Sequence, residues 1–122
     1  VLFLPFQNQS MLPAVYSMGD VLVLPSQSET WGLVVNEAMN LGCPAIVTDR
    51  VGCAHDLVVP GQTGWVFSAG NPGALRQCLE EALADRERLR QIGENARRHV
   101  SQFSYNGITA SLQQALQHAC PG

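Results

Sequence analysis

The sequence contains no lysine, and this absence limits what the protein can bind. All seven basic residues are arginines, and only Arg50 lies before residue 76. With a formal net charge of −3, the chain offers no broad basic surface of the kind that contacts a phosphate backbone. We therefore expect no nucleic-acid partner.

Cysteine pairs at metal-ligand spacing are also lacking. The four cysteines form no CxxC pair: Cys43, Cys53, Cys78 and Cys120. This pattern indicates neither a zinc site nor a dense disulfide framework. We expect reduced thiols, most of them packed in the interior, and no bound metal.

Long apolar runs are absent as well. No stretch approaches the roughly 20 residues that a membrane-spanning helix needs, and no charged segment precedes a leader cleavage site. We expect a cytoplasmic protein, with any membrane association carried by parts outside this sequence. The chain opens on VLFLPF without an initiating methionine, which indicates a natural or recombinant piece of a longer protein.

The sequence does have the composition of a protein with a core. It is 46% hydrophobic over 122 residues, about the length of one domain. Short apolar runs predict strands at residues 1–6, 21–25, 45–48 and 65–67. The run VLVLP at 21–25 is typical of a central parallel strand covered on both faces. Helical patterns lie between these runs, so the sequence predicts an α/β fold with a mostly parallel sheet of about four strands.

The helical patterns have recognisable ends. Ser10 is a candidate N-cap for a helix that Gly19 ends, and a second helix is predicted at 32–41. After residue 72, apolar residues at helical spacing predict a tail of two or three packing helices: Leu75, Leu79, Leu83, Leu89, Ile92, Ala96, Val100, Ile108, Leu112 and Leu116. The five arginines between 86 and 98 indicate solvated faces of these helices.

The loop SQSETWG, residues 26–32, follows the second predicted strand. In open parallel sheets, ligands bind on loops of this kind. The amides of Gly32, Leu33 and Val34 would be unpaired first-turn donors of the next helix, which carry the positive end of its dipole and can bind an anion. Because Glu29 lies too close to such an anion to contact it favourably, we expect Glu29 to accept hydrogen bonds from neutral hydroxyls.

Glu29 and Glu37 cannot form one paired-carboxylate site. Eight residues turn a helix so far that the two side chains would stand about 80° apart, so each has a separate role. A second interpretation remains open: Asn36, Glu37 and Asn40 form an ordinary solvent stripe, and Glu29 is only a cap or dipole partner. That interpretation places four residues on the buried face: Leu33, Val34, Ala38 and Leu41.

The stretch PSQSETWGLVVNEAMNLGCPAIVTDRVGC, residues 25–53, resembles the donor-binding segment of retaining glycosyltransferases that use nucleotide sugars. These enzymes have two Rossmann-like domains (GT-B type) and form the glycogen-synthase and mannosyltransferase-like group. The flanking DLVVPGQTGWVF and the tail with ARRHV and FSY agree, so the resemblance covers nearly the whole chain. It implies that residues 1–122 are a single partial donor-binding domain. The amino-terminal acceptor domain and the first part of the donor domain would lie outside this sequence.

The resemblance also implies roles for individual residues. Glu29 matches the catalytic-site glutamate that lies beside the transferred sugar and bonds its hydroxyls. Glu37 matches the glutamate that takes the ribose hydroxyls of the nucleoside. The turn that contacts the sugar and the distal phosphate matches the backbone of four residues: Trp31, Gly32, Leu33 and Val34. The donor substrate would be a nucleotide-diphosphate sugar, with no cofactor and no metal.

Some features depart from the family pattern. Enzymes of this group use an upstream arginine and lysine against the diphosphate, and this chain has no lysine. Cys53 stands where a second glycine is common, and Asp56 stands where a glutamate is common. His55 follows in the same loop, and we expect it at the surface.

The implied function is transfer of a sugar, with retention, from a nucleotide sugar to an unknown acceptor. This chain would supply part of the donor site and be inactive alone. The alternative is a standalone, non-catalytic α/β module. Such a module would bind a nucleotide sugar or dock to a partner through its unfinished sheet edge.

Overall fold

Strands and helices alternate along the chain in the computed structural model, which describes residues 1–102 and 113–119. The described residues form, in order, α1 (Leu12–Ser17), β1 (Leu22–Leu24), α2 (Leu33–Asn40), β2 (Ala45–Thr48), α3 (Ala54–Leu57), β3 (Gly64–Phe67), α4 (Pro72–Leu83) and α5 (Arg86–Ser101). Residues 113–119 are also helical. This order confirms the predicted α/β fold class.

The strands form a parallel sheet in the order β1-β2-β3, so β2 lies in the middle. Val23 pairs with Ile46, and Ile46 pairs with Trp65 on the other side. All four residues of β2 are buried. Its β-branched and apolar sequence, AIVT, suits a strand that other elements cover on both faces.

Helices pack against both faces of the sheet. On one face, Val47 packs in a cluster with Met39 of α2 and Val100 of α5. On the other face, Ile46 packs in a cluster with Ile92 of α5. Burial of each such side chain contributes roughly 1.5 to 3 kcal/mol relative to exposure. The long helix α5 therefore contributes to both hydrophobic clusters.

The prediction of a strand at residues 1–6 is wrong, and the described sheet has three strands instead of four. This segment has no regular structure, and Val1, Phe3 and Phe6 are 116%, 89% and 92% exposed. Its apolar side chains pack against no surface among the described residues, and Pro5 has no N–H to donate to a strand ladder. The hydrophobicity of this run was therefore a misleading signal.

Two local predictions also need correction. The run at 21–25 forms β1, but β1 pairs with β2 alone among the described strands and is half-buried, so it is not central. Ser10 does not cap α1, because Met11 holds the N-cap position without a side-chain bond. The donors within reach of a Ser10 cap are already taken or absent, since the Leu12 N–H donates to the Asn8 carbonyl at 3.2 Å and Pro13 has no N–H.

The tail is helical as predicted where the structure describes it, but Leu83 and Leu116, which were predicted to pack, are 60% and 63% exposed. Asn71 and Asp85 cap α4 and α5, each accepting hydrogen bonds from first-turn amides. The arginines between 86 and 98 are exposed, and Arg90 pairs with Glu87 at 2.7 Å. Ile108 and Leu112 lie outside the described residues. No helix in the described part of the chain has the length and apolar character needed to cross a bilayer.

Candidate functional site

Three loops meet at the carboxyl edge of the sheet, where ligands of parallel sheets usually bind. The Thr48 hydroxyl at the end of β2 donates to the Ser26 carbonyl at 2.6 Å. The next residue, Asp49, donates its N–H to the Phe67 carbonyl at 3.0 Å and accepts the Ala69 N–H at 3.1 Å. These bonds tie the loops after β1 and β3 to the loop after β2.

The loop that carries Glu29 is fixed by backbone hydrogen bonds to residues 50–53. Glu29 N–H donates to the Arg50 carbonyl at 3.2 Å, and Gly52 N–H donates back to the Glu29 carbonyl at 2.9 Å. Cys53 N–H donates to the Trp31 carbonyl at 2.8 Å. We call these three bonds the loop clamp. They extend the parallel pairing of β1 and β2 beyond the ends of both strands.

A glycine is required on each side of the loop clamp. A Cβ on Gly52 would lie 1.9 Å from the Thr30 carbonyl oxygen, which no rearrangement of a side chain can relieve. Gly32 has φ +90°, a left-handed conformation that other residues adopt only with strain. A Cβ there would also lie 2.8 Å from the Val51 side chain.

Gly32 is the N-cap of α2 and makes no side-chain capping bond. Within the described residues, the N–H groups of Gly32, Leu33 and Val34 donate to no acceptor, whereas Val35 N–H donates to the Gly32 carbonyl at 2.9 Å. Three consecutive donors at a helix N-terminus favour an anion or a negatively polarised oxygen. We call these three N–H groups the amide turn. Trp31, which precedes it, is 39% exposed.

Glu29 lies directly beside the amide turn. Its Cγ is 3.6 Å from the position a Cβ would occupy on Gly32. The side chain is half-buried, and its carboxylate forms no hydrogen bond or ion pair with any described residue. A half-buried carboxylate in this state is available to accept hydrogen bonds from a ligand.

Glu37 lies on the second turn of α2 and has a partner that the sequence did not indicate. The Tyr16 hydroxyl of α1 donates a hydrogen bond of 2.9 Å to Glu37 Oε2. Desolvation by burial, together with the hydrogen bond and the negative charge of Glu37, raises the pKa of Tyr16 to about 12. The two side chains line a groove of about 420 Å³ together with five other residues: Gln9, Leu12, Pro13, Asn40 and Leu41.

The buried face of α2 differs from the expected one. The helix buries Val35, Ala38 and Met39, whereas Leu33 and Leu41 are 60% and 45% exposed. The buried residues are spaced three and four apart, so they form one stripe against the sheet and α5. The polar residues Asn36, Glu37 and Asn40 therefore lie on the side of α2 away from the core, where Glu37 and Asn40 line a groove with α1.

The residues that depart from the family pattern have structural surroundings of their own. Residues 51–56 were expected to form a loop, but Ala54–Leu57 form the short helix α3 with Cys53 at its N-cap. Cys53 is fully buried, and its thiol donates to the Gly32 carbonyl at 3.7 Å. Burial raises the pKa of Cys53 to about 11, so this thiol is a packing residue and not a thiolate nucleophile. His55 and Asp56 are exposed.

Other proteins are similar to this chain in sequence and in fold. A family model described as "Glycosyl transferases group 1" matches residues 1–99. The D-inositol 3-phosphate glycosyltransferase of Gordonia bronchialis is 37% identical over 121 residues, a match that covers 96% of this chain and 26% of that protein.

Solved structures agree with the sequence match. Sucrose-phosphate synthase from Thermosynechococcus elongatus aligns with a TM-score of 0.84 and 31% identity, over 97% of this chain and 30% of that one. The Anabaena protein Alr3699/HepE, solved in complex with UDP and glucose, aligns with a TM-score of 0.76 and 26% identity, over 88% of this chain and 29% of that one. The chain thus spans less than a third of the length of each of these proteins.

Proposed function

This chain belongs to the glycosyl transferases group 1 family, and from that membership we propose that it forms part of the donor site of a sugar-transferring enzyme. The donor in this proposal is a nucleotide-diphosphate sugar, and the sugar passes to an acceptor with retention of its anomeric configuration. The UDP and glucose bound to Alr3699/HepE support a donor of this class. The names of the relatives imply different acceptors, so we assign none.

The observation that carries the proposal is the amide turn beside an unpartnered carboxylate. Donors without acceptors at Gly32, Leu33 and Val34 suit the distal phosphate of the donor. Glu29, fixed by the loop clamp, suits neutral hydroxyls of the sugar next to that phosphate. Trp31 lies between them in the chain and is accessible enough to contact the sugar.

The second half of the proposed site is Glu37. A carboxylate can accept hydrogen bonds from both hydroxyls of a ribose, which is a neutral and diol-bearing part of the donor. Glu37 lies about one turn along α2 from the amide turn, a displacement of about 5 to 7 Å along the helix axis. That spacing agrees with a ligand in which one phosphate separates the distal phosphate from the ribose.

The reaction follows from charge. The bond between the anomeric carbon and the diphosphate oxygen breaks, and its electron pair stays on the diphosphate. The acceptor hydroxyl oxygen forms the new bond to that carbon, and its proton passes to an oxygen of the departing diphosphate. Negative charge therefore grows on the leaving group, where the amide turn can stabilise it. Positive charge grows at the anomeric carbon, near Glu29.

Further parts of the proposal concern the whole protein. Residues 1–122 constitute one partial donor-binding domain that requires an acceptor domain and additional diphosphate contacts for activity. The protein is cytoplasmic and needs no resident cofactor, since the donor itself carries the transferred group. Nucleic acid is not among its partners.

The two glutamates provide the test, because they are proposed to contact different parts of the donor. UDP, ADP and GDP and their glucose derivatives are titrated against the chain, with affinity followed by NMR. Glu37→Gln should weaken the nucleoside diphosphate and its sugar derivative alike, by about 10-fold, because both contain ribose. Glu29→Gln should weaken the sugar derivative by a similar factor and leave the diphosphate within about twofold.

The control is Glu94→Gln on the exposed face of α5, which makes the same change in charge. It should leave all affinities unchanged. If Glu29→Gln and Glu37→Gln also behave like this control, the carboxylates are solvent-facing side chains and the assignment of the site is wrong.

A further inference from the structure

The hydrogen bond between Tyr16 and Glu37 joins two helices that have little else to hold them in register. Helix α1 has six residues, buries none of them and has no side-chain N-cap. In the described part of the chain, the Tyr16 hydroxyl provides its one side-chain hydrogen bond to α2. This hydrogen bond can hold α1 against α2, fix the orientation of the Glu37 carboxylate, or do both.

The carboxylate gains a fixed orientation from this bond. A glutamate side chain has three rotatable bonds, and its carboxylate can turn freely when only water surrounds it. Donation from Tyr16 to Oε2 selects one orientation and leaves Oε1 and the second lone pair of Oε2 as acceptors. Binding a vicinal pair of hydroxyls requires two acceptor positions in fixed geometry, which this arrangement supplies.

The Tyr16 hydroxyl remains a hydrogen-bond donor at neutral and mildly alkaline pH. Because burial and the Glu37 carboxylate raise the pKa of Tyr16 to about 12, its hydroxyl keeps its proton at neutral and mildly alkaline pH. Leu12, Pro13 and Leu41 line the same groove. The tyrosine hydroxyl is thus the donor of this hydrogen bond and Glu37 Oε2 is the acceptor.

On the basis of the function proposed above, we propose that Tyr16 is a positioning residue that orients Glu37 toward the ribose hydroxyls. It thereby sets the preference for ribonucleotides over 2′-deoxyribonucleotides. Tyr16 acts through Glu37 and not on the sugar that is transferred. A tyrosine that served only to attach α1 would support the fold without affecting this preference.

The test compares two ligands on each variant. UDP with 2′-deoxy-UDP, and ADP with 2′-deoxy-ADP, are titrated against the wild-type chain and against Tyr16→Phe, Glu37→Gln and the double variant, with NMR detection. Whichever of UDP and ADP binds the wild-type chain more tightly should bind at least about fivefold more tightly than its own 2′-deoxy form. Tyr16→Phe should lower this ratio about threefold or more, toward that of Glu37→Gln. The double variant should match Glu37→Gln alone.

The ratio of ribonucleotide affinity to deoxyribonucleotide affinity is insensitive to partial unfolding, because loss of folded protein lowers both apparent affinities by the same factor. Ser17→Ala is the matched control. The Ser17 hydroxyl donates to the Pro13 carbonyl within α1 at 2.8 Å and does not contact Glu37, so this variant perturbs the same helix and should keep the wild-type ratio.

The outcomes separate the two proposals. If Tyr16→Phe keeps the wild-type ratio while Glu37→Gln loses it, Glu37 contacts ribose and the positioning role of Tyr16 is wrong. A change of the ratio in Ser17→Ala equal to that in Tyr16→Phe would also overturn the positioning role. If the wild-type chain binds none of the nucleotides, or binds ribo and deoxy forms equally, the donor-site proposal itself fails.

Discussion

Single glycines determine whether the loops of the candidate site can approach one another. Gly52 allows the loop clamp because its missing Cβ makes room for the Thr30 carbonyl. Two other glycines are in the same position: a Cβ would lie 2.1 Å from the Ala45 oxygen at Gly64, and 2.1 Å from the Gly42 oxygen at Gly93. In each case the obstacle is backbone, so no rotamer change can remove it.

We expect Gly52→Ala to open the loop clamp. The added methyl overlaps Thr30 O, so two backbone segments must separate and lose their hydrogen bonds. Overpacking of this kind costs about 1 to 3 kcal/mol, and the lost bonds add to it. Urea denaturation should therefore show a loss of about 2 kcal/mol or more in the free energy of unfolding.

Gly73→Ala is the comparison, since an added Cβ at this exposed position of α4 would meet Asn71 Oδ1 at 3.4 Å and no backbone atom of another segment. Its effect should stay within about 1 kcal/mol, and alanine's better helix propensity acts in its favour. Equal stability of the Gly52→Ala and Gly73→Ala variants would show that the loop clamp contributes little to the fold.

Local sequence was enough to predict some residues and not others. The glycine at 32 followed by a helix could be predicted because an N-cap and its first turn are adjacent in the chain. The partner of Glu37 could not, because Tyr16 lies 21 positions away in the chain. Hydrogen bonds between distant side chains depend on packing that a periodicity does not encode.

At the scale of elements, α5 connects most of the structure. It packs on α2 and contributes residues to both hydrophobic clusters, through Ala96 and Val100 in one and through Leu89 and Ile92 in the other. Its approach to α2 depends on Gly93, which lies against the turn that ends α2. A glycine in the middle of a helix ordinarily destabilises that helix by about 0.5 to 1 kcal/mol. Gly93 must therefore stabilise the protein through the close packing of α5 on α2.

We expect Gly93→Ala to destabilise the protein despite alanine's higher helix propensity. The new Cβ meets the Gly42 carbonyl oxygen and forces α5 away from α2, which should cost about 1 to 3 kcal/mol. Gln91→Ala, on the exposed face of the same helix, should change stability by less than about 0.5 kcal/mol. Thermal denaturation of both variants distinguishes these expectations, and a stabilised Gly93→Ala would contradict the proposed close packing.

Elements were predictable where a pattern was long or fully buried. The run AIVT predicted β2 because all four of its residues are covered. The segment at 1–6 is equally apolar but packs on nothing described, so hydrophobicity alone misidentified it. Helix α3 has only four residues, which is too few to show a helical period.

At the scale of the whole molecule, the chain presents acceptors for hydroxyls and amides for a phosphate, but few cations. The described part of the chain has Arg50 as the only basic side chain other than histidine before α4. Charge-assisted contacts to a diphosphate contribute about 1.5 to 3 kcal/mol each. A donor held without them binds weakly.

We therefore expect the 122-residue chain to bind nucleoside diphosphates at millimolar concentrations or above and to transfer no sugar. NMR titration measures the affinity, and release of nucleoside diphosphate from a nucleotide sugar in the presence of glycosyl acceptors measures transfer. Micromolar binding or sustained turnover by the chain alone would show that no further diphosphate contacts or acceptor domain are needed.

The glycines that lie against backbone oxygens have a consequence for how this fold can vary among homologous proteins. A contact between two side chains can be kept by paired substitutions, so its two positions change together during evolution. Gly52 and Gly93 instead contact peptide oxygens, which are the same whatever residue carries them. We expect these glycines to be invariant while Thr30 varies freely at their side, so covariation between aligned sequences will not reveal two of the closest approaches in the structure.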